Sequence, residues 1–199
     1  MNRYDLAIVG GGIIGLAHAY VAHQQGLRVV LVEKNRMCVD ASIRNFGLIW
    51  PVGQPAGPLF DKAMKSRELW LQLSKTAGFW CLDNGSIHLA YHDDEWSVLE
   101  EYHQDFGYNT ELLTPQQVQS RARHIISNEL RGGLFSPTEL NVNPSEAIQA
   151  ITNWLLSQDR CDILTEEKVL NAQTGRLYTT KRTIQAEQIL ICSGSDFQS

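Results

Sequence analysis

The sequence has no run approaching the roughly 20 apolar residues that a membrane-spanning helix needs, so no transmembrane segment is expected. It has no block of lysine or arginine: 17 basic and 22 acidic residues are spread along 199 positions, giving a net charge of -5. Nothing in that distribution would track a phosphate backbone, and nucleic acid is not an expected partner. Only four cysteines occur, Cys38, Cys81, Cys161 and Cys192, with no Cys-x-x-Cys pair and no histidine at zinc spacing. None of the six histidines falls in an H-E-x-x-H pattern. No metal is expected, and the scattered thiols read as reduced, as in a cytoplasmic protein. A core is not lacking, because 43% hydrophobic content suits one ordinary soluble domain or two small ones.

Arg3, the apolar stretch from Leu6 to Leu16 and Ala17-His18-Ala19 imitate a secretory leader with its cleavage site. Three consecutive glycines break that stretch, and Asp5 stands beside its positive end, so another reading fits better. Leu6-Ala7-Ile8-Val9 reads as a strand buried on both faces of a parallel sheet. Gly10-Gly11-Gly12-Ile13-Ile14-Gly15 then fits G-x-G-x-x-G. In that pattern the first glycine permits the tight turn, the second lets a pyrophosphate approach the backbone, and the third lets helix and strand pack closely. Ile13 to Gln25 suits a helix with Ile14, Ala17 and Val21 on one face and Gly26 as a left-handed cap. Its N-terminus would favour an anion. Val29-Val30-Leu31-Val32 reads as a second buried strand closing on Glu33, at the spacing expected of the carboxylate that accepts hydrogen bonds from an adenosine ribose. The same carboxylate would repel a 2′-phosphate. Gly10, Gly12, Ile13, Ile14, Gly15, Glu33 and the adjoining Lys34 are therefore candidates for holding the ADP part of a dinucleotide. This fingerprint serves NAD as well as FAD, and an NAD-dependent oxidoreductase stays open at this point.

The segment after the second strand bears on that choice. Asp40-Ala41-Ser42-Ile43-Arg44-Asn45-Phe46-Gly47-Leu48-Ile49 resembles the loop after the ribose-binding acid in the D-amino acid oxidase superfamily of FAD-dependent oxidoreductases. There Ala-Ser and a later Asn and Gly mark the run toward the flavin. The resemblance implies FAD as cofactor, with Ala41, Ser42, Asn45, Phe46 and Gly47 along it. A Ser42 hydroxyl could reach the pyrophosphate, and Gly47 would let the chain pass close to a flat ring. Near the other end, Asp162 to Leu164, Lys168 to Asn171, Arg176 to Thr180 and Thr183 to Ile184 read as short strands, with Thr174-Gly175 as a turn. Gln188-Ile189-Leu190-Ile191 leading into Cys192-Ser193-Gly194-Ser195 resembles the strand and small-residue turn that return to the cofactor in the same superfamily. The resemblance implies that Val169 meets the adenine through its backbone and that Ser193 and Gly194 lie near the dinucleotide. Arg44 to Pro51, followed by Gly53-Gln54-Pro55, looks like the subgroup associated with 2-aminoethylphosphonate breakdown.

The family chemistry implied is hydride transfer from an amine-bearing carbon to flavin, with a small-molecule amine or amino acid as substrate. Arg44 is a candidate for facing an anionic group on it. Members are nearly twice as long as this chain, and the resemblance makes it their first half. Most substrate-binding groups come from the other half, so no catalytic residue is nominated. A truncated product that retains at most dinucleotide binding is the alternative.

The expected fold class is α/β: a Rossmann-like FAD-binding domain with a parallel sheet and helices, plus part of a mixed α+β substrate domain. Residues 1–78 and 143–199 would form the FAD-binding domain in two parts, and 79–142 the partial substrate domain. In the middle, Leu59 to Gly78 has helical spacing, and Phe79 to Leu82 with Ser86 to Ala90 flank Asp83-Asn84-Gly85, a hairpin signal. Asp93 to Phe106 and Thr114 to Arg123 read as helices, the second opening with Thr114, Pro115 and Gln117 as cap, first position and capping partner. Asn143-Pro144 with Glu146 repeats that start signal before a helix reaching Ser157. The neighbouring acids Glu100-Glu101 and Glu166-Glu167 are expected on solvated faces.

Overall fold

Short runs of valine, isoleucine and leucine bounded by glycine or charged residues form strands, and the longer stretches opened by Pro, Thr or Asn caps form helices. The computed structural model describes residues 3–106 and 108–195. In chain order it runs β1 (Tyr4–Val9), α1 (Ile13–Gln24), β2 (Val29–Val32), β3 (Leu48–Ile49), α2 (Pro58–Ala77), β4 (Cys81–Asp83), β5 (Ser86–Ala90), α3 (Asp93–Phe106), β6 (Glu111–Leu113) and α4 (Pro115–Arg121). It continues through β7 (Gly132–Ser136), β8 (Leu140–Val142), α5 (Pro144–Leu156), β9 (Cys161–Leu164), β10 (Val169–Gln173), β11 (Arg176–Thr179) and β12 (Thr183–Ile191). Two compact units result: Met1–Gly47 with Leu73–Trp80 and Asn143–Ser199, and Leu48–Gln72 with Cys81–Val142.

The first unit is built on a six-stranded sheet in the order β10-β11-β12-β1-β2-β9. β12, β1, β2 and β9 run parallel, while β10 and β11 form an antiparallel extension. All four residues of β2 are buried, as a central parallel strand requires. Ala7, Val30, Val32, Leu177, Ile184 and Ala186 make one core cluster. On the helices, α5 buries Ala147, Ile148, Ile151 and Leu155, and α1 buries Gly15, Leu16, Ala19 and Ala22. Each fully buried leucine or isoleucine contributes about 1.5–3 kcal/mol. The face of α1 marked by Ile14 and Val21 is therefore not its core face, since both side chains are exposed. The helix is apolar nearly all round, so spacing could not choose a side. The close approach of Gly15 to β1 chooses it.

The sequence separates Thr183-Ile184 from Gln188 to Ile191 as two strands, but both belong to the single β12. Its first part pairs antiparallel with β11 on one edge and its later part parallel with β1 on the other, which joins the two stretches into one strand.

The second unit holds two three-stranded sheets, β3-β8-β4 and β5-β7-β6. The hairpin expected around Asp83-Asn84-Gly85 does not form, because β4 pairs with β8 and β5 with β7. Gly85 does take positive φ, +71°, but its N–H donates to Glu139 O at 3.1 Å and a Cβ there would lie 2.2 Å from Ser136 O. That close approach hands the chain from one sheet to the other instead of folding it back. Residues 48–72, expected with the cofactor domain, belong to this unit. β3 pairs with β8, Phe60 stacks on Tyr108, and Arg67 donates to Thr138 O at 2.6 Å. α4 opens with the anticipated capping box: Gln117 N donates to Thr114 Oγ1 at 3.3 Å and Thr114 N to Gln117 Oε1 at 2.8 Å. Asn143 caps α5 by accepting from Glu146 N at 3.2 Å.

Candidate cofactor-binding site

Numbered by appearance in the parallel part of the first sheet, β9, β2, β1 and β12 stand in the order 3-2-1-4. In such sheets a ligand sits outside the carboxyl ends of the strands, where the order reverses on either side of the first strand. A cavity of about 630 Å³ opens there, lined by the residues that end or follow β1, β2 and β12 and by the start of β10. Its volume lies within the roughly 300–1,000 Å³ usual for ligand sites.

The glycine turn forms one wall. Gly10 has φ +106°, and a Cβ there would lie 2.4 Å from Cys192 O. Gly15 is packed so that a Cβ would lie 2.0 Å from Gly10 O, which is the close helix–strand contact that the third glycine of the pattern serves. Gly12 precedes α1 in extended conformation and faces Ser42 Oγ, 3.0 Å from where its own Cβ would be. Ile13 N donates to Ser42 Oγ at 3.0 Å. No acidic side chain occupies the first turn of α1, so its positive end is open to an anion.

Glu33 forms the second wall. Its Oε2 accepts from Gly11 N at 2.8 Å and its Oε1 from Asn35 N at 2.9 Å, so the carboxylate braces the glycine turn while each oxygen keeps a lone pair for a ribose hydroxyl. Three large apolar side chains, Ile14, Leu170 and Ile191, line the cavity at 60%, 62% and 61% exposure. Open apolar surface inside a cleft that also carries polar groups such as Glu33, Ser42 and Asn171 is what a flat heterocycle with polar edges covers.

Of the residues singled out from sequence, Gly10, Gly12, Ile14, Glu33, Lys34, Ala41, Ser42, Val169, Ser193 and Gly194 line this cavity. Ile13 and Gly15 stand behind the lining as turn and helix framework. Asn45, Phe46 and Gly47 are not brought to it, and neither is Arg44. Asn45 Nδ2 donates to Ala41 O and Ser42 O, and its Oδ1 accepts from Gly47 N at 2.9 Å, which closes the loop on itself. Phe46 is 81% exposed.

Sequence reading missed Cys38, Cys192, Glu167 and Leu170, all of which line the cavity. Cys192 directly after β12, and Glu167 and Leu170 around the start of β10, carried a signal by position, whereas Cys38, six residues past the end of β2, carried none. Burial pushes the Cys38 and Cys192 thiols above their ordinary value. Glu167, expected on a solvated face, is 1% exposed. Thr179 Oγ1 donates to its Oε1 at 2.5 Å, and Arg182 Nε stands 3.1 Å from the same oxygen. Those partners arrive from the β11–β12 turn and were not visible from the Glu166-Glu167 pair alone. Among the described residues, no group of three or more His, Cys, Asp or Glu could hold a metal, and no helix is long and apolar enough to cross a membrane.

Fold and site together define a dinucleotide-binding protein of the Rossmann class. The family model described as DAO, FAD dependent oxidoreductase, matches residues 5–198, and the chain belongs to that family, whose cofactor is FAD. Glycine oxidase of Geobacillus kaustophilus is 26% identical over 208 residues, covering 98% of this chain and 55% of that protein. Its crystal structure superposes with a TM-score of 0.86 at 25% identity, over 98% of this chain and 56% of that one. The D-amino acid dehydrogenase of Helicobacter pylori is 21% identical over 98% of this chain and 60% of its own. An L-α-glycerophosphate oxidase from Mycoplasma pneumoniae, solved with FAD bound, shares the fold with a TM-score of 0.79 at 24% identity, over 95% of this chain and 53% of that one. The chain spans about half the length of the first two relatives.

Proposed function

We propose that the first unit holds FAD by its ADP end and that the protein serves the oxidation of the C–N bond of an amine or amino acid. The observation that carries the reading is the meeting, in one cavity, of the Gly10–Gly12 turn, the Glu33 carboxylate and the exposed Ile14, Leu170 and Ile191. The chain's residues fit the group. The α1 N-terminus with Gly12 and Ser42 would take the pyrophosphate, Glu33 the adenosine ribose, and Val169 with Leu170 the adenine. When bound, FAD supplies the acceptor for the hydride leaving the amine-bearing carbon. What these residues contribute is orientation and the exclusion of water from the phosphates. Similarity to glycine oxidase and to a D-amino acid dehydrogenase supports an amino-acid substrate class. An aminophosphonate, suggested by the 44–55 segment, is a narrower member of the same class, with Arg44 on the loop as its candidate anion partner.

Purified protein should be yellow and should gain thermal stability on addition of FAD, because a ligand that binds only the native state must stabilise it. The Gly12→Val variant should stay folded and lose that gain, since its side chain would fill the phosphate path beside Ser42. A wild-type protein whose melting temperature ignores both FAD and ADP would overturn the reading.

A further inference from the structure

Glu167 has an acidic side chain removed from solvent at the edge of the cavity, and the proposed cofactor contacts give it no role. Its surroundings tie together two parts of the site that are far apart in sequence. Its own N–H donates to Glu33 O at 3.1 Å, so the backbone of the ribose acid is pinned to the segment that enters β10. Its carboxylate accepts from Thr179 Oγ1, and the Arg182 guanidinium pairs with the same oxygen from a half-exposed position. Thr179 Oγ1 also accepts from Arg182 N at 2.9 Å and Lys181 N at 3.2 Å, which fixes the tight turn between β11 and β12. Next along the chain, Thr180 N donates to Lys168 O at 2.8 Å, one residue before Val169. Glu167 is thus a node: its backbone N–H holds Glu33, and its buried carboxylate holds the β11–β12 turn that backs the Val169-Leu170 wall.

A buried carboxylate is costly unless paired and hydrogen-bonded. An apolar residue of similar size could fill the same volume, so bulk alone does not account for an acid here. What an acid supplies is a charge-assisted anchor for the β11–β12 turn, which fixes the adenine wall relative to the backbone bond that holds Glu33. We propose that Glu167 is a positioning residue for the adenosine end of the cofactor: it touches no ligand and holds the ribose acid and the adenine wall at binding distance. The inference rests on the FAD reading.

Glu167→Gln keeps the shape and removes the charge, and Arg182→Gln removes the partner from the exposed side. The affinities of the full chain for ADP and for FAD are measured by calorimetric titration, alongside the melting temperature of the ligand-free protein. Both substitutions should weaken ADP and FAD by the same factor, about two- to fivefold, as expected for loss of a half-exposed ion pair. The ligand-free melting temperature of Arg182→Gln should stay within about 2 °C of wild type, since its side chain is half exposed. The double variant should be no weaker than the worse single one, because the pair acts as a unit. If Glu167→Gln fails to fold, Arg182→Gln carries the test alone. Unchanged ADP affinity in the folded variants overturns the proposal, as does a loss of binding that only mirrors a lower folded fraction. Wild-type protein that binds neither ADP nor FAD strikes the cofactor reading instead.

Discussion

Gly15 and Gly12 occupy the same six-residue motif but answer to different neighbours. A methyl at Gly15 would meet a backbone oxygen at 2.0 Å, and backbone there cannot give without moving β1 or α1. A methyl at Gly12 would meet only the Ser42 hydroxyl at 3.0 Å. Gly15→Ala should therefore lower the ligand-free melting temperature, at a cost of about 1–3 kcal/mol typical of overpacking, whereas Gly12 substitutions act on the ligand. Thermal unfolding of the two alanine variants without cofactor checks this, and equal melting temperatures would contradict the close-packing account. Proton linkage acts at residue scale too. Burial raises the Cys161 thiol from 9.0 to about 11, and burial with the hydrogen bond to Asp162 raises the Tyr4 phenol from 10.0 to about 12. In both cases the folded state holds a proton that the unfolded chain releases. Their contribution is fully present below the unfolded values and is lost as pH rises through the folded ones. Stability should fall progressively from about pH 9 to about pH 12. Cys161→Ala should flatten the lower part of that decline and Tyr4→Phe the upper part, as read from urea midpoints across the range; parallel curves for all three proteins would refute the assignment.

At the scale of elements, helix ends and strand ends behaved differently. The cap of α4 is local chemistry: Thr114, Pro115 and Gln117 lie within four positions, and the reciprocal hydrogen bonds close as the spacing implies. Thr114→Ala should cost about 0.5–2 kcal/mol in unfolding of the second unit and leave FAD affinity untouched. A change in FAD affinity of the same size would mean that the cap does more than end a helix. Strand partners are a different matter. Asp83-Asn84-Gly85 is a valid turn signal, and Gly85 does take positive φ, yet β4 and β5 part into different sheets because their partners lie some 50 residues on, in β8 and β7. The glycine turn and Glu33 were legible because their geometry is set within one strand-turn-helix-strand segment. The burial of Glu167 was not, because Thr179 and Arg182 supply its partners from beyond the next turn. The core face of α1 stayed hidden for another reason: leucine, isoleucine, alanine and valine surround it, and only the approach of Gly15 to β1 decides which side is buried.

For the molecule as a whole, the division into two units leaves the cavity with the first of them. Every residue lining the 630 Å³ cavity falls in the unit that contains β1, α1, β2, α5 and β9 to β12. The sheets β3-β8-β4 and β5-β7-β6 contribute none of that lining. A ligand that binds there should slow backbone hydrogen exchange where it suppresses local opening, in proportion to its occupancy. With saturating ADP, protection is expected to rise at residues 10–16, 33–42, 167–172 and 192–195. The amides of β5, β6 and β7 should exchange as before, because nothing they bond to touches the ligand. FAD, which carries the same ADP end and a flavin besides, gives the informative contrast. Protection by FAD that matches the ADP pattern would confine the whole cofactor to the first unit, while added protection in residues 44–52 would place the flavin along the loop where Asn45, Phe46 and Gly47 stand. Uniform protection of both units by ADP would show that they unfold as one cooperative body and would remove the basis for treating the cavity as the property of the first unit alone.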